Sequence, residues 1–275
     1  MKHNKFSVAI SVYMNDNAEY FDRALESITD TQTIKPDEIV LVVDGPVSDD
    51  INSVISKYEA KCETFKAIRL AENGGLGNAL KIAVENCSYE LIARMDSDDI
   101  SLPTRFEEQL KKFEQFPELD IVGGDISEFI GNEENVVAYR RVPEEDSEIK
   151  KYMQTRCPFN HVSVMYKKSA VEKAGGYQDL FWNEDYYLWI RMQLSGALFA
   201  NTGTTLVNVR TGTDMYARRG GARYFKSEAY LQRFMLENKM ISLSTCFMNV
   251  AKRLIVQLLL PKSVRGWVFR RFARN

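Results

Sequence analysis

The chain has 275 residues, of which 45% are hydrophobic and 27% charged, and its formal net charge is −2. This composition supports a buried core and excludes disordered, collagen-like and low-complexity proteins. No apolar run reaches the ~18 residues of a membrane-spanning helix, and the N-terminus leads directly into a strand-like segment, which predicts that no signal peptide is present. The four cysteines lie far apart without a CxxC pair. They predict free thiols in a reducing cytoplasm.

The first 130 residues alternate strand-like and helix-like segments. The predicted strands are Phe6 to Tyr13, Glu38 to Asp44, Phe65 to Leu70, Glu90 to Asp96 and Leu119 to Ile126. The predicted helices are Ala18 to Thr29, Asp49 to Cys62, Gly77 to Asn86 and Pro103 to Phe116. This alternation predicts an α/β fold with a mostly parallel sheet and helices on both faces. Such sheets bind ligands at the carboxyl ends of their strands.

The regular alternation of strand-like and helix-like segments ends after about residue 130. The later predicted elements are a hairpin or strand at Val136 to Val142, a helix starting at Glu144, a strand at His161 to Tyr166, a helix at Glu184 to Leu194, and helices from Met215 to the end. We therefore expect one domain over residues 1–214 and a helical extension over 215–275.

Basic residues are concentrated in that extension. Eight of the 36 Lys and Arg residues lie between Lys239 and Asn275, a stretch without Asp or Glu. The apolar run Leu254 to Leu260, and Trp267, Phe269 and Phe272 among arginines, are typical of a segment that binds a membrane surface. Helices packed on the domain with a solvated basic rim are the alternative. Because the rest of the chain is acidic, we expect no nucleic-acid partner.

The strongest chemical signal is the acidic run Asp96-Ser97-Asp98-Asp99 after a buried strand. Three carboxylates at one strand end repel one another unless a cation or hydrogen bonds compensate them. One or two carboxylates together with substrate phosphates form a usual Mg²⁺ site, and Mn²⁺ prefers similar ligands. An acidic turn that caps the next helix is the alternative interpretation.

A second acidic pair, Glu184-Asp185, opens an aromatic-rich helix behind Trp182. A carboxylate beside aromatic side chains is suited to act as a general base toward a sugar hydroxyl. Ordinary acidic residues in a first helical turn, favoured there by the helix dipole, are the alternative.

Other segments carry weaker signals. Asp44 follows a strand and could bond a ribose or base, or cap a turn. The loop Asn73 to Asn78 could approach a ligand closely, although it is neither GxGxxG nor a P-loop. Asn160 and His161 could line a site, or His161 could be structural. Arg218 and Arg219 could neutralise a leaving diphosphate, or belong to a solvated basic loop.

Together these features resemble glycosyltransferase family 2. Asp96 to Asp99 looks like the DxD motif of GT-A enzymes, and Ser7 to Tyr13, Asp44, Asn73 to Asn78 and Glu184-Asp185 follow in the expected order. Several segments look especially like bacterial exopolysaccharide and O-antigen transferases of the amylovoran-biosynthesis type. The resemblance covers roughly residues 5 to 225 and implies a GT-A, Rossmann-like fold.

The resemblance also implies site residues. Those that would bind the donor nucleotide are Ser11, Tyr13, Asp44, Asn73, Gly75, Asn78 and Asp96. Those that would hold a divalent cation, Mn²⁺ or Mg²⁺, are Asp98 and Asp96, with Asp99 as a helper. Asp185, next to Glu184, would be the catalytic base; Arg218 and Arg219 would face the diphosphate. The residues on the acceptor side would be Asn160, His161 and Trp182. The chain has no His in its C-terminal third to complete a metal site.

The expected function is inverting transfer of a sugar from a nucleotide-diphosphate donor, a UDP-sugar, to a hydroxyl. The acceptor would be a glycan or a polyprenyl-diphosphate-linked molecule in cell-surface polysaccharide biosynthesis, and the enzyme would be cytoplasmic or peripheral on the inner membrane. Family resemblance favours galactose over GlcNAc and glucose. A non-catalytic sugar-nucleotide or glycan-binding module and a DxD-type phosphatase are the alternatives.

Overall fold

A computed structural model describes residues 4–212 and 221–259, which contain one mixed sheet flanked by helices. Its strands are β1 Phe6–Tyr13, β2 Glu38–Asp44, β3 Phe65–Arg69, β4 Leu91–Met95, β5 Ile100–Ser101, β6 Ile121–Phe129, β7 Val136–Arg140, β8 Met165–Lys167 and β9 Phe199–Arg210. Their order in the sheet is β3-β2-β1-β4-β8-β6-β9-β5, and β7 pairs with β6.

The helices occupy the connections between these strands. They are α1 Ala18–Thr29, α2 Asp49–Lys61, α3 Leu76–Asn86, α4 Arg105–Gln115, α5 Asp146–Met153, α6 Lys168–Lys173, α7 Glu184–Leu194, α8 Ala222–Glu237 and α9 Leu243–Leu254, which continues as a π-helix at Ile255–Leu259. Local sequence sets several of their starts. The side chains of Asn17, Ser48 and Ser242 each accept a hydrogen bond from an amide of the first turn, which satisfies a donor that the helix leaves unpaired.

The first half of the sheet is parallel. Strand β1 pairs in parallel with both β2 and β4, and β2 pairs in parallel with β3. In this register Tyr13 lies opposite Asp44. The carboxyl ends of these strands therefore meet at one edge, as the alternating pattern predicts.

The second half differs from the sequence-based expectation. Strand β9, which the sequence did not predict, runs parallel to β6, while β8 is antiparallel to both β4 and β6. The predicted strand at His161 to Tyr166 was wrong in its first half. His161–Ser163 form a 3₁₀ turn, because the Ser163 amide and hydroxyl both bond the Asn160 carbonyl, and the strand covers only Met165–Lys167.

Alternate residues of the central strands enter two apolar cores, one on each sheet face. Val8, Ile10 and Leu41 pack in one core with residues of α1, α2 and α4, and Ala9 and Val40 pack in the other with residues of α3 and α7. This alternation is the two-residue period of a strand buried on both faces. The α/β fold with helices on both faces is confirmed.

The C-terminal helices pack on the second core. Leu231 and Met235 of α8 are fully buried there, and Asn249 of α9 donates to the Gln154 carbonyl at 2.9 Å and to Gln232 Oε1 at 2.8 Å. Within residues 4–212 and 221–259, we find no helix with both the length and the apolar character needed to cross a bilayer.

Candidate active site

A cavity of about 340 Å³ lies at the carboxyl ends of β1, β2 and β4. Its lining contains seven of the residues predicted to bind the donor or a metal: Ser11, Tyr13, Asp44, Asn73, Gly75, Asp96 and Asp98. Asn78 is exposed in the first turn of α3, outside this lining. Asp16, which the sequence did not single out, also lines the cavity and accepts hydrogen bonds from Ser97 Oγ and the Tyr13 amide.

The carboxylate of Asp44 organises the loop that follows β3. Its Oδ1 accepts a hydrogen bond from the Gly74 amide at 2.7 Å, and its Oδ2 accepts from the Gly75 amide and Asn73 Nδ2, both at 3.0 Å. Gly45 has φ +85°, and a Cβ there would lie 2.8 Å from the Asn73 nitrogen. The turn-capping interpretation of Asp44 is therefore correct, and the loop closes one side of the cavity.

The acidic run separates into three environments. Arg94 Nη1 donates to the Asp96 carboxylate, while buried Asp99 accepts from the Arg210 amide at 2.8 Å. Asp98 is exposed at the cavity mouth. Its surroundings still desolvate it, and together with the negative charges of Asp96 and Asp16 they raise its pKa to about 6.

The donor set at this edge fits a divalent cation shared with a phosphate-bearing ligand. Desolvation first, and then the charges of Asp96 and Asp16, disfavour the charged form of Asp98, and a bound cation would favour that form. Within the described residues, no group of three or more His, Cys, Asp or Glu forms a complete metal site. One or two carboxylates plus ligand phosphates are a usual set for Mg²⁺, and Mn²⁺ takes similar oxygens. Asp98 and Asp96 would hold the ion, and Asp99, bonded to β9, faces other partners.

A larger cavity of about 780 Å³ shares Asp96 and Asp98 with the smaller one. Glu184 and Asp185, in the first turn of α7, also line it. The structure thus brings the two acidic motifs, 88 positions apart for Asp96 and Glu184, to the walls of one cavity. The predicted acceptor-side residues Asn160, His161 and Trp182 line the same space.

Both acids of the Glu184-Asp185 pair are held in a state that favours proton uptake. Burial raises the pKa of Asp185 above its ordinary value. Burial, then the charge of Asp185, raises the pKa of Glu184 to about 7. Asp185 Oδ2 lies 3.6 Å from the Cys157 thiol. A carboxylate with a raised pKa at a cavity wall is suited to accept a proton from a ligand hydroxyl.

The three acceptor-side candidates differ in what they offer to a ligand. The buried amide of Asn160 donates to the Gly124 carbonyl and accepts from Arg140 Nη1, and His161 Nε2 lies 2.9 Å from the Tyr177 hydroxyl. Burial lowers the pKa of His161, so its imidazole is neutral. Trp182 is 47% exposed with φ 57°, a strained conformation for a bulky residue. Of the three side chains, that of Trp182 is the most exposed.

Two arginines that sequence reasoning missed organise the acidic edge. Arg94, 2% exposed, lies inside β4 and lines the larger cavity. Arg210 ends β9, and its Nε donates to the Asp98 carbonyl at 3.2 Å while its guanidinium lies 3.7 Å from the ring centre of Tyr20. In the sequence, a charged residue inside the apolar run Leu91–Met95 could have indicated that Arg94 has a role in the site. The predicted pair Arg218 and Arg219 lies outside the described residues.

The far wall of the larger cavity comes from the last helices. Lys252, Arg253 and Gln257 line it. Arg253 donates to the Glu228 carboxylate and, through Nη2, to the Thr155 carbonyl at 3.0 Å. Sequence reasoning assigned these helices to an extension and missed their place in the site.

The family model described as "Glycosyl transferase family 2" matches residues 7–181. A parallel sheet edge with a DxD motif opposite a second acidic pair is the arrangement that the resemblance to this family implies. The chain belongs to glycosyl transferase family 2. It is therefore a glycosyltransferase, and the phosphatase alternative is set aside.

Curated relatives extend over almost the whole chain. An uncharacterised glycosyltransferase of Haemophilus influenzae is 43% identical, over 94% of this chain and 97% of its own length. The amylovoran biosynthesis glycosyltransferase AmsE of Erwinia amylovora is 40% identical, over 85% and 86%. The UDP-Gal:alpha-D-GlcNAc-diphosphoundecaprenol beta-1,3-galactosyltransferase of Escherichia coli is 34% identical, over 98% and 97%. The relatives of this chain thus include named transferases of polysaccharide and lipid-linked sugar synthesis.

Solved structures confirm the fold. Residues 1–349 of S. aureus TarS, in complex with UDP-GlcNAc, align with a TM-score of 0.68 at 16% identity, over 96% of this chain and 78% of that one. The mannosyltransferase PcManGT of Pyrobaculum calidifontis, in complex with GDP-Man and Mn²⁺, aligns with a TM-score of 0.64 at 12% identity, over 99% and 76%. The predicted GT-A architecture is confirmed.

Proposed function

We propose that the protein is an inverting hexosyltransferase that moves a sugar from a UDP-sugar to an acceptor hydroxyl. One observation carries the proposal: Asp96 and Asp98 line both cavities. A donor in the smaller cavity would present its diphosphate and sugar at this edge, facing Glu184 and Asp185. The names of the E. coli relative and of the TarS complex, which include UDP-Gal and UDP-GlcNAc, favour a uridine donor. The E. coli galactosyltransferase is 34% identical to this chain and TarS is 16% identical, which favours galactose over GlcNAc.

Asp185 would act as the base. It takes the proton of the acceptor hydroxyl while that oxygen forms a bond to the anomeric carbon from the side opposite the nucleotide. The bond from this carbon to the diphosphate oxygen breaks in the same displacement, so the configuration inverts and the electron pair leaves with UDP. Burial and the neighbouring carboxylate keep the acidic pair ready to hold that proton.

The smaller cavity would hold the nucleotide. Ser11 and Tyr13 lie at the end of β1, and the loop fixed by Asp44 brings Asn73 and Gly75 to the opposite side. Asp44 would act mainly through this loop. Asn78, one turn into α3, would support the loop from outside, where a Cβ on Gly74 would meet its amide.

Charge on the departing diphosphate needs compensation. A divalent cation bound by Asp98 and Asp96 would supply positive charge to the phosphate oxygens. The Mn²⁺ in the PcManGT complex supports this role. We assign Arg218 and Arg219, from the sequence resemblance, to the same diphosphate.

The acceptor would be a glycan or a polyprenyl-diphosphate-linked sugar at the cytoplasmic face of the inner membrane. The diphosphoundecaprenol-linked acceptor named for the E. coli relative supports this class. Arg156 and Lys252 line the larger cavity next to the Thr155–Arg253 hydrogen bond. Within the described residues neither pairs with a carboxylate, so both can meet an acceptor phosphate. We divide the chain into a catalytic domain over 1–214 and a helical extension over 215–275.

The first test is donor binding. UDP-, GDP- and dTDP-sugars are titrated calorimetrically into the protein with Mn²⁺, Mg²⁺ or EDTA, and slow hydrolysis of each donor is followed in parallel. We expect metal-dependent binding of one UDP-sugar, lost in Asp98→Ala and kept in Asp49→Ala, an exposed acid of α2. Absence of nucleotide binding under every condition would refute the proposal and favour a glycan-binding module.

A further inference from the structure

The outer face of the last described helix is apolar and exposed. Six large apolar side chains of α9 and its π-helical continuation are between 38% and 73% exposed: Leu243, Phe247, Met248, Leu254, Ile255 and Leu258. Steps of three, four and seven residues connect them, so they share one side of the helix. Single exposed apolar residues are ordinary, but a continuous stripe about 20 Å long marks an interaction surface.

The opposite side of the same helix packs against the rest of the protein. Asn249 is buried against Gln154 and Gln232, Arg253 bonds Glu228, and Gln257 is 5% exposed and lines the larger cavity. Since a helix with its side chains is about 10 Å thick, the apolar stripe lies one helix diameter from the acceptor wall. Whatever covers the stripe is held beside the candidate site.

The basic residues near the apolar stripe indicate what covers it. The stretch from Lys239 to the C-terminus contains eight Lys or Arg residues and no acid. Lys252 is exposed at the border of the stripe, and the 16 residues after Leu259 contribute five of these cations. An apolar stripe with basic flanks matches the interface of a bilayer with anionic lipids. A second copy of this chain, the other occupant that could cover the stripe, is an outcome of the test below.

We propose that the exposed stripe from Leu243 to Leu258 lies in the interface of an anionic membrane, which places the acceptor wall of the larger cavity at the bilayer surface. This inference rests on the proposed function only for the reason for the membrane contact, which would be delivery of a lipid-linked acceptor. The membrane contact itself follows from the exposed side chains. It also assigns the binding surface to a described helix and not to the terminal aromatic residues alone.

Flotation of the full chain with vesicles tests the proposal. We expect the protein to float with phosphatidylglycerol–phosphatidylethanolamine vesicles and much less with phosphatidylcholine vesicles, and to be released by high salt. The double variant Phe247→Glu/Leu258→Glu should lose at least about 10-fold in vesicle affinity, because each change places a charge in the apolar interface. The matched control Phe116→Glu/Val137→Glu alters exposed apolar residues of other surfaces and should float like the wild type.

Two further readouts keep the outcomes separate. UDP binding measured on the same preparations reports a folded donor site, so unaltered UDP binding with lost flotation supports the membrane surface independently of folding. Equal flotation of the double variant and wild type, or no flotation at all, overturns the proposal. Light scattering that shows a dimer converted to a monomer by the double variant, without vesicle binding, would assign the stripe to a second copy. Vesicle binding without UDP binding would refute only the proposed function.

Discussion

The smaller cavity, which we propose as the donor half of the site, and the larger cavity, the proposed acceptor half, are built in different ways. Around the smaller cavity, ligand-facing groups follow the ends of neighbouring parallel strands, and Asp44 fixes the next loop through three hydrogen bonds. Around the larger cavity, the wall combines Cys157, Asp185 and Arg253, which come from a loop and two helices distant in sequence. The donor half therefore depends on sheet register, and the acceptor half on packing between remote elements.

This difference predicts separable functions. Changes in the donor half should alter nucleotide affinity together with stability, because the same carboxylates hold the backbone. Changes on the acceptor side should alter transfer while nucleotide binding persists. Arg94 lies between the halves, since it bonds Asp96 and its charge lowers the pKa of Asp185.

The largest expected effect is at the proposed base. Asp185→Asn should reduce sugar transfer by about 10²-fold or more while UDP-sugar affinity stays unchanged, because the amide cannot take the proton. Transfer to a labelled acceptor and calorimetric titration of the donor measure the two quantities. Glu184→Gln is the matched control and should retain more activity than Asp185→Asn. Near-normal turnover in the Asn variant would reassign the base.

Arg94→Met should shift the pH dependence of transfer. Burial raises the pKa of Asp98, Glu184 and Asp185, and the Arg94 guanidinium partly offsets that rise. Its removal therefore raises these pKa values further. A base with a higher pKa is deprotonated only at higher pH, so the acid limb of the rate profile should move upward and activity at neutral pH should fall. Arg94→Lys keeps the charge and should restore part of the original profile. An unshifted limb in the Met variant would show that Arg94 does not influence the reacting acid.

Asp44→Asn tests the donor half. Replacing one carboxylate oxygen by an amide sets two donors against each other in the Asn73–Gly75 loop, which should cost about 1–3 kcal/mol of unfolding free energy and weaken UDP binding. Urea denaturation and calorimetry measure these effects, with exposed Asp49→Asn as control. If stability falls while UDP affinity is unchanged, the loop does not shape the nucleotide site.

Trp182→Ala gives the smallest expected effect. The exposed indole stacks on Phe181 at the cavity wall, and loss of one aromatic contact should raise the acceptor KM by about 2- to 10-fold, with donor affinity unchanged. Alanine also carries a Cβ, so the strain of the φ of 57° persists in this variant. A change in donor affinity of the same size would contradict the division between the halves.

Sequence reasoning predicted the strands and helices around the smaller cavity well because their signals are local. The bounds of Phe6–Tyr13, Glu38–Asp44 and Ala18–Thr29 were correct, since apolar runs or helical periodicity define them. Sequence reasoning placed Asp96 and Asp98 in a ligand site because they directly follow an apolar strand, and such sheets bind ligands at the carboxyl ends of their strands. Turn capping by Asp44 was among the sequence-based interpretations, but its three donors in the loop after β3 could not be identified from that residue alone.

The acceptor half was predicted less completely. Sequence reasoning missed strand β9 because polar residues such as half-buried Thr202 and exposed Thr204 interrupt its apolar pattern. The position of Arg210 was missed for the same reason. The contact of Cys157 with Asp185 and the bond of Arg253 to Thr155 join residues 28 and 98 positions apart. Such contacts are set by tertiary packing, which spacing along the chain does not encode.

The wall contributed by α9 has an evolutionary consequence. The α8–α9 hairpin packs on the rest of the protein through the Gln154 and Thr155 carbonyls, the Asn183–Ser227 hydrogen bond, the contact between Tyr187 and Tyr230 and buried apolar side chains. It lies beyond the residues that the family model matches. Recombination that exchanges this hairpin between related genes would replace one wall of the acceptor cavity and leave the nucleotide strands intact. Exchange of this terminal gene segment would thus alter the proposed acceptor side while the strands around the smaller cavity stay the same.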